Sequence, residues 1–187
     1  MNHPYEQYLQ EVLIDHETLQ ARIAELGQQI STDYADKKNL LLVCILKGGV
    51  MFLADLMRQI EVPHCIDFMA ISSYGDGIRE SSGRVRIDMD LSQDIAGKHI
   101  LIVEDIIDSG HTMQYILSLL STRKPASIRV CTLLSKPSRR LVPIQLDYVG
   151  FEIPDKFVFG YGLDLDEIFR NLPFVGVCKP DSRVEHE

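Results

Sequence analysis

No stretch of this 187-residue chain approaches the roughly 18 consecutive apolar residues that a membrane-spanning helix needs. The opening Met-Asn-His-Pro-Tyr-Glu has neither a basic leader nor the apolar run of a secretory signal, so a cytoplasmic protein without membrane partners is expected. Positive charge is short as well: 19 Lys and Arg against 27 Asp and Glu leave a net charge of −8. That balance argues against a nucleic-acid binder held by bulk electrostatics, while leaving room for a local basic pocket around one small phosphate. The four cysteines, Cys44, Cys65, Cys131 and Cys178, are widely scattered and form no Cys-x-x-Cys pair. A zinc site or disulfide framework is therefore the weaker reading. Cys44 and Cys131 sit inside apolar runs, where a reduced cysteine acts as a small buried hydrophobe. No repeat, low-complexity tract or linker divides the chain, and its length suits one well-buried core.

What is present is alternation. Leu40–Leu46 is continuously apolar, the mark of a strand buried on both faces. Gly48-Gly49 breaks it, and Met51, Phe52, Leu53, Leu56, Met57 and Ile60 follow at helical spacing. Ile66, Phe68, Ala70 and Ser72 alternate like a strand, and so does Val85–Met89. His99–Val103 and Ile128–Leu134 predict buried strands, Met113–Leu120 a helix, and Val149 and Phe157–Phe159 shorter strands. Near the start, Leu9, Val12, Leu13, Leu19, Ile23 and Leu26 predict a helix over 6–27 that stops at Gly27. Strands alternating with helices predict an α/β fold with a parallel sheet covered on both faces. Residues 73–84, rich in glycine, serine and charge, read as a long loop of the kind that forms a lid.

The densest chemistry lies in 100–113, Ile-Leu-Ile-Val-Glu-Asp-Ile-Ile-Asp-Ser-Gly-His-Thr-Met. An apolar strand ends in Glu104 and Asp105. Asp108 then opens a short turn of Ser109, Gly110, His111 and Thr112 before a helix. In open α/β sheets ligands bind at the carboxyl ends of strands, where loop amides and a helix N-terminus offer donors to an anion. Acids beside a phosphate cradle need a cation between, and Mg²⁺ is the simplest candidate. The spacing is neither a Walker loop nor a dinucleotide fingerprint. His111 is expected to contribute its amide, because nothing nearby would orient it as a base.

Other positions each have a bland alternative. Lys47-Gly48 places a cation and a closely approachable backbone at a strand end, although alone it would be an ordinary turn. Lys136, in Leu-Leu-Ser-Lys-Pro-Ser-Arg-Arg, also follows a strand, with a solvated basic turn as the alternative. Phe157, near glycines, is either core or a stacking platform for a flat heterocycle. Asp164, Asp166, Glu167 and Arg170 have the spacing of a charged helix face, with Glu167 and Arg170 as an i,i+3 pair.

Together these stretches resemble the purine phosphoribosyltransferases, in particular the hypoxanthine(-guanine) branch. The segment 103–113 is similar to that family's motif for 5-phosphoribosyl 1-diphosphate (PRPP). The likeness extends through 45–49, 72–75, 149–158, 160–164 and 169–173, covering nearly the whole chain in the family's order. It implies one domain over 1–187 with the type I phosphoribosyltransferase fold: a mostly parallel twisted sheet with helices on both faces. The core would run from about 35 to 150, and a small hood would form from the N-terminal segment and residues from about 151 to 187.

The resemblance also implies roles. Asp108, Ser109, Gly110, His111 and Thr112 would hold the ribose 5-phosphate. Glu104 and Asp105 would face the ribose hydroxyls and Mg²⁺, with Asp164 also a metal and purine-site residue. Lys47 and Gly48 would form the pyrophosphate loop, where the family uses a non-proline cis peptide, and Arg170 would contact pyrophosphate. Asp108 would be the acid/base at purine N7. Lys136 would reach the 6-oxo group, Phe157 would stack on the ring, and the Val158 backbone would read the pyrimidine edge. Ser73 and Tyr74 would belong to the lid. The implied reaction moves the phosphoribosyl group from PRPP to N9 of hypoxanthine, and with it guanine, giving IMP or GMP and pyrophosphate. A homo-oligomer, dimer or tetramer, is implied as well. Ser109 and His111 depart from the family's more frequent residues, but Ser109 keeps the hydroxyl. The rivals are a PRPP-sensing regulator, which the acidic chain disfavours, and a pyrimidine or adenine enzyme. Lys136, a donor suited to a 6-oxo group, disfavours the latter.

Overall fold

The computed structural model describes residues 3–73 and 85–180. Its elements run β1 (Leu9–Ile14), α1 (His16–Asp33), β2 (Leu40–Leu46), α2 (Val50–Gln59), β3 (His64–Ser73) and β4 (Val85–Met89). They continue with β5 (His99–Ile107), α3 (His111–Ser121), β6 (Ser127–Ser135), β7 (Tyr148–Glu152), β8 (Val158–Phe159) and β9 (Val175–Cys178). A six-stranded sheet has the order β4-β3-β2-β5-β6-β7. All its pairings are parallel except β3 with β4 at one edge.

The continuous apolar runs are explained by cover on two sides. Leu42, Cys44, Leu101 and Val103 pack under α1 and α2. Leu41, Val43, Ile45, Ile100 and Ile102 pack under α3, which contributes Met113, Ile116 and Leu120. Because successive side chains of a strand point to opposite faces, every position of β2 and the first half of β5 meets a core. The expected α/β architecture is therefore present. A second sheet, β1-β9-β8, is antiparallel and gathers segments near both ends of the chain. Its core of Phe159, Leu165, Leu172 and Cys178 is supported by Tyr5, Tyr8, Leu9 and Phe174. No helix among the described residues is long and apolar enough to cross a membrane.

Three expectations need correction. The helix over 6–27 divides: Leu9–Ile14 is a strand, and α1 begins at His16, where the Asp15 carboxylate accepts from the Thr18 amide at 2.8 Å. Leu9, Val12 and Leu13 fit either period, and pairing with β9 (Leu9 opposite Cys178, Ile14 opposite Val175) decides for a strand. Gly27 does not stop the helix. It lets α1 cross α2 closely, since a Cβ there would lie 2.3 Å from Cβ of Gln59. Second, β5 runs to Ile107, so Glu104 and Asp105 lie within the strand, with Glu104 opposite Thr132 and Ile107 opposite Ser135. Third, residues 160–172 are not a helix. Narrow bridges pair Gly160 with Leu163 and Leu165 with Ile168, and Tyr161, Asp166, Glu167 and Phe169 take positive φ.

Candidate active site

Parallel strands deliver their following loops to one edge of the sheet, and there the loops after β2, β5 and β6 meet. Beyond β5, Gly110 takes φ +90° at the start of α3, whose first turn carries no side-chain cap. Its leading amides are thus turned toward a potential anion. A pocket of about 240 Å³ opens here, lined by Leu46, Glu104, Asp108, Ser109, Gly110 and Thr112 among others. On its far side the Leu46–Lys47 peptide is cis, as the resemblance implies for this position. Gly48 follows so tightly against Asp105 that a Cβ would lie 1.6 Å from its Oδ2.

The acids separate by environment. Glu104 is buried, and its carboxyl is pushed well up, first by loss of solvent and then by the negative charge of Asp105. Asp105 is also raised by burial, against the opposing effects of a hydrogen bond from Glu104, the Ile106 amide at 2.7 Å and the positive charge of Arg170. The pair therefore resists carrying two negative charges, with the proton on the Glu104 side. A divalent cation would relieve that resistance. Among the described residues no three His, Cys, Asp or Glu side chains converge on a metal-sized point. Asp164 does not complete such a group with the pair, and its Oδ1 lies 2.9 Å from Arg170. Two carboxylates without a closed cage suit Mg²⁺, which keeps water and substrate oxygens in its shell.

Asp108 has a different setting. Its Oδ1 is shielded from solvent and has no hydrogen-bond partner among the described residues. Arg139 Nε stands 3.1 Å away, close enough for attraction without an aligned bond. Arg139 also lies 3.4 Å from Asp155, which in turn lies 3.8 Å from Nζ of Lys136. Lys136 is buried, not the solvated turn residue of the bland reading. Acid and base thus alternate from Asp108 to Lys136. Phe157 is 52% exposed, which rules out core, while Val158 is buried in β8. The Phe157 carbonyl accepts from the Cys178 amide at 2.9 Å, fixing this segment on the second sheet.

The remaining cations come from opposite ends of the sequence. Lys47 Nζ meets Glu167 at 2.7 Å, and Arg170 contacts Asp164 and, at 3.3 Å, Glu167. Arg170 also donates to the Gly162 carbonyl at 2.9 Å. A Cβ on Gly162 would lie 2.0 Å from the Gly48 carbonyl, so the 160–172 segment docks directly on the Lys47 loop. Beneath it the Tyr161 hydroxyl donates to Asp55 at 2.6 Å.

The structure brings Lys47, Gly48, Glu104, Asp105, Asp108 to Thr112, Lys136, Asp164 and Arg170 to one edge, while Phe157 is carried on the second sheet. His111 opens α3, in keeping with an amide role. Tyr74 and the Ser73 side chain fall outside the described residues, and with them the lid. Sequence reasoning named Glu167 as the partner of Arg170, a pair the structure contains, but missed its contact with Lys47 and did not single out Arg139, Arg140 or Asp155. The only hint was the Arg-Arg pair after Lys136, which reads equally well as a solvated turn.

Comparison with known proteins agrees with this geometry. Residues 10–167 match the phosphoribosyl transferase domain family. The chain is 52% identical over 168 residues to the hypoxanthine phosphoribosyltransferase of Haemophilus influenzae, covering 89% of this chain and 93% of that protein. It is 50% identical over 177 residues to the hypoxanthine-guanine phosphoribosyltransferase of Mycobacterium avium, covering 92% and 87% respectively. A crystal structure of a Staphylococcus aureus hypoxanthine phosphoribosyltransferase superposes with a TM-score of 0.91 at 47% identity, covering 97% of each chain. An acidic pair, an amide-rich loop and a buried lysine at one edge of a parallel sheet thus coincide with a match across most of the sequence: the chain belongs to the phosphoribosyltransferase family.

Proposed function

We propose that this phosphoribosyltransferase transfers the 5-phosphoribosyl group of PRPP to N9 of a 6-oxopurine, hypoxanthine and also guanine, releasing pyrophosphate in purine salvage. The observation that carries the reading is the position of Asp108. It lies between the amide-rich loop and the Arg139–Asp155–Lys136 ladder, so one carboxylate borders the loop's pocket and is linked through two alternating charges to a buried lysine.

The amides of Ser109 to Thr112 would hold the 5-phosphate, and Glu104 and Asp105 the ribose hydroxyls. Mg²⁺, held by Glu104 and Asp105 with substrate oxygens, would neutralise charge on the departing pyrophosphate. Asp164 would serve a separate ion. Lys47 and Arg170 take up the negative charge of the leaving group from the protein side. Buried Lys136 donates to the 6-oxo group, a role that adenine, with an amino group there, does not fill. Phe157 offers its exposed ring for stacking, and the Val158 backbone reads the pyrimidine edge. Asp108, whose Oδ1 faces the Arg139 cation but accepts no aligned hydrogen bond, takes the proton lost as N9 bonds to the ribose and balances charge at N7. A homo-oligomer, dimer or tetramer, in the cytoplasm belongs to the same reading.

The test is turnover of PRPP and Mg²⁺ with hypoxanthine, guanine, xanthine, adenine and uracil in turn, with nucleotide and pyrophosphate both measured. Turnover of hypoxanthine and guanine is expected, and no turnover of any 6-oxopurine would sink the reading. In Asp108→Asn, kcat should fall roughly 10²- to 10⁴-fold with PRPP affinity largely kept. Equal losses in binding and rate would make Asp108 structural instead.

A further inference from the structure

The geometry points to Arg140 as the positioning residue of the 5-phosphate cradle, an inference that rests on the functional reading above. Arg140 is half-buried and faces the back of the loop, away from the pocket. Its Nε donates to the Asp108 carbonyl at 2.9 Å, and its Nη2 to the Ile107 carbonyl at 3.2 Å and the Ser135 hydroxyl at 3.0 Å. Neighbouring amides complete the pattern. Lys136 N donates to the Ile107 carbonyl at 3.0 Å, and Leu141 N and Val142 N to the Ser109 carbonyl at 3.0 and 3.3 Å. Three consecutive carbonyls, 107 to 109, are thus held from behind.

In a trans peptide the C=O of one residue and the N–H of the next point in opposite directions. Fixing the carbonyls of Ile107, Asp108 and Ser109 against the 136–142 segment therefore aims the amides of Asp108, Ser109 and Gly110 to the other side. Asp108, Ser109 and Gly110 line the pocket there. Arg140 Cδ and Val142 Cγ2 also stand 3.1 and 3.0 Å from where a Cβ of Gly110 would be, closing the back of the loop. An arginine suits the role because its rigid planar fork presents donors in fixed directions to two carbonyls and the Ser135 hydroxyl at once, whereas an ammonium on a flexible stem fixes no such plane. Arg140 touches no reacting atom; it acts through the peptide planes it orients.

The experiment compares wild type, Arg140→Met and Arg140→Lys. Affinities for ribose 5-phosphate and for pyrophosphate would be measured separately by calorimetry, alongside KM for PRPP and hypoxanthine and the thermal midpoint. In Arg140→Met, ribose 5-phosphate affinity should weaken and KM for PRPP rise by roughly 10- to 100-fold, the scale of losing charge-assisted hydrogen bonds. Pyrophosphate affinity and KM for hypoxanthine should change by no more than about threefold, within the few tenths of a kcal/mol typical of uncoupled sites. Arg140→Lys should fall between the two, and added methylguanidine should recover part of the Arg140→Met loss.

Equal weakening of ribose 5-phosphate and pyrophosphate, or a lowered midpoint with both affinities intact, would overturn the inference and leave Arg140 a structural contact. If Arg140→Met does not fold, the same split is read in Arg140→Lys. A wild type that binds no ribose 5-phosphate would sink the functional reading itself. A wild type that binds it, with variants that bind it equally well, sinks only the role of Arg140.

Discussion

Replacing Gly48 with alanine places a methyl group where the Asp105 carboxylate stands. The new Cβ would lie 1.6 Å from Oδ2 and 2.6 Å from Cγ. Oδ2 would have to retreat by about 1.8 Å to reach an ordinary contact near 3.4 Å, a distance set by van der Waals repulsion. Because Cγ also clashes, spinning the carboxylate about its own axis does not suffice, and the side chain must leave its rotamer or the loop must withdraw. Withdrawal is opposed by Gly162, whose own backbone already presses on the Gly48 carbonyl. Moving Asp105 breaks its bond to the Ile106 amide at 2.7 Å and its bond with Glu104.

Overpacking costs about 1–3 kcal/mol, and a hydrogen bond to a charged group contributes about 1.5–3 kcal/mol, part of which is recovered on relaxation. A total near 3 kcal/mol is expected. Taken by the fold, it lowers the thermal midpoint by roughly 6–12 °C for a chain of this length. Taken by the substrate complex, it lowers kcat/KM for PRPP by about 100-fold. The assay measures both in one preparation, by calorimetry and by initial rates. Gly97→Ala is the control, since no atom lies within 4 Å of a Cβ there and only its φ of +71° is strained. That variant should lose about 1 kcal/mol of stability and no catalytic efficiency. A Gly48→Ala protein within 1 °C and twofold of wild type, by the same scales, would refute the contact between the loop and the acid.

Three further outcomes follow from other contacts. Phe157→Leu should raise KM for hypoxanthine by about tenfold, the scale of one lost base stack, with no change in thermal midpoint because the ring is half-exposed; an unchanged KM would remove stacking from its role. Glu167→Gln removes the ion pair of Lys47 and one of the two that Arg170 makes, leaving Asp164 on Arg170, and should tighten pyrophosphate by about two- to fivefold at an unchanged midpoint, since exposed ion pairs contribute under about 1 kcal/mol; weaker binding would show that Glu167 presents those cations instead of competing for them. The Tyr148 hydroxyl, followed by Arg129, holds the Asp33 carboxyl below its ordinary value of 3.8, so the stability it adds is present above 3.8 and is lost as pH falls below that through the lowered folded-state value. Asp33→Asn should therefore lose about 1 kcal/mol at pH 7, after allowing for solvent screening of a partly exposed group, and the gap from wild type should close as pH falls below 3.8; a gap that does not shrink in acid would refute the assignment.

The legible parts of the fold were those whose cause is local. Leu40–Leu46 and Ile100–Val103 are apolar throughout because both faces of a parallel sheet are covered, and that leaves a mark in the sequence at each position. The phosphate loop was legible because small residues follow acids at once, a pattern with few other uses. Strand β1 was not, because its partner β9 lies more than 160 residues away (Leu9 opposite Cys178) and its half-exposed residues satisfy a helical period equally well. Phe157 could not be decided from pattern, since an aromatic beside glycines has the same sequence whether its ring faces core or solvent. Glu167 was read as the partner of Arg170, but its contact with Lys47 escaped for the reason β1 did: it spans 120 positions. Arg140 escaped for another reason. Its partners are main-chain carbonyls, which every residue carries, so no complementary side chain marks them.

The segment after β6 couples the two halves of the site more tightly than residue roles suggest. Its backbone holds the Ile107 and Ser109 carbonyls, Arg140 holds those of Ile107 and Asp108, and Lys136 is the donor proposed for the purine 6-oxo group. Arg139 connects charge across both halves, with the Asp108 carboxylate on one side and Asp155 beside Lys136 on the other. Loss of Arg139 would free Asp108 Oδ1 from its nearest cation and leave Asp155 paired with Lys136 alone. The acid/base and the 6-oxo donor would then shift together. Arg140 acts on peptide planes and Gly48 on Asp105, so substitutions there should separate PRPP from purine, whereas Arg139→Ala should raise KM for both substrates in parallel. Neighbouring arginines thus divide the work, one gripping Asp108 by its carboxylate and the other by its carbonyl. An acid held at both ends keeps the geometry that proton transfer at N7 requires while the substrates on either side come and go.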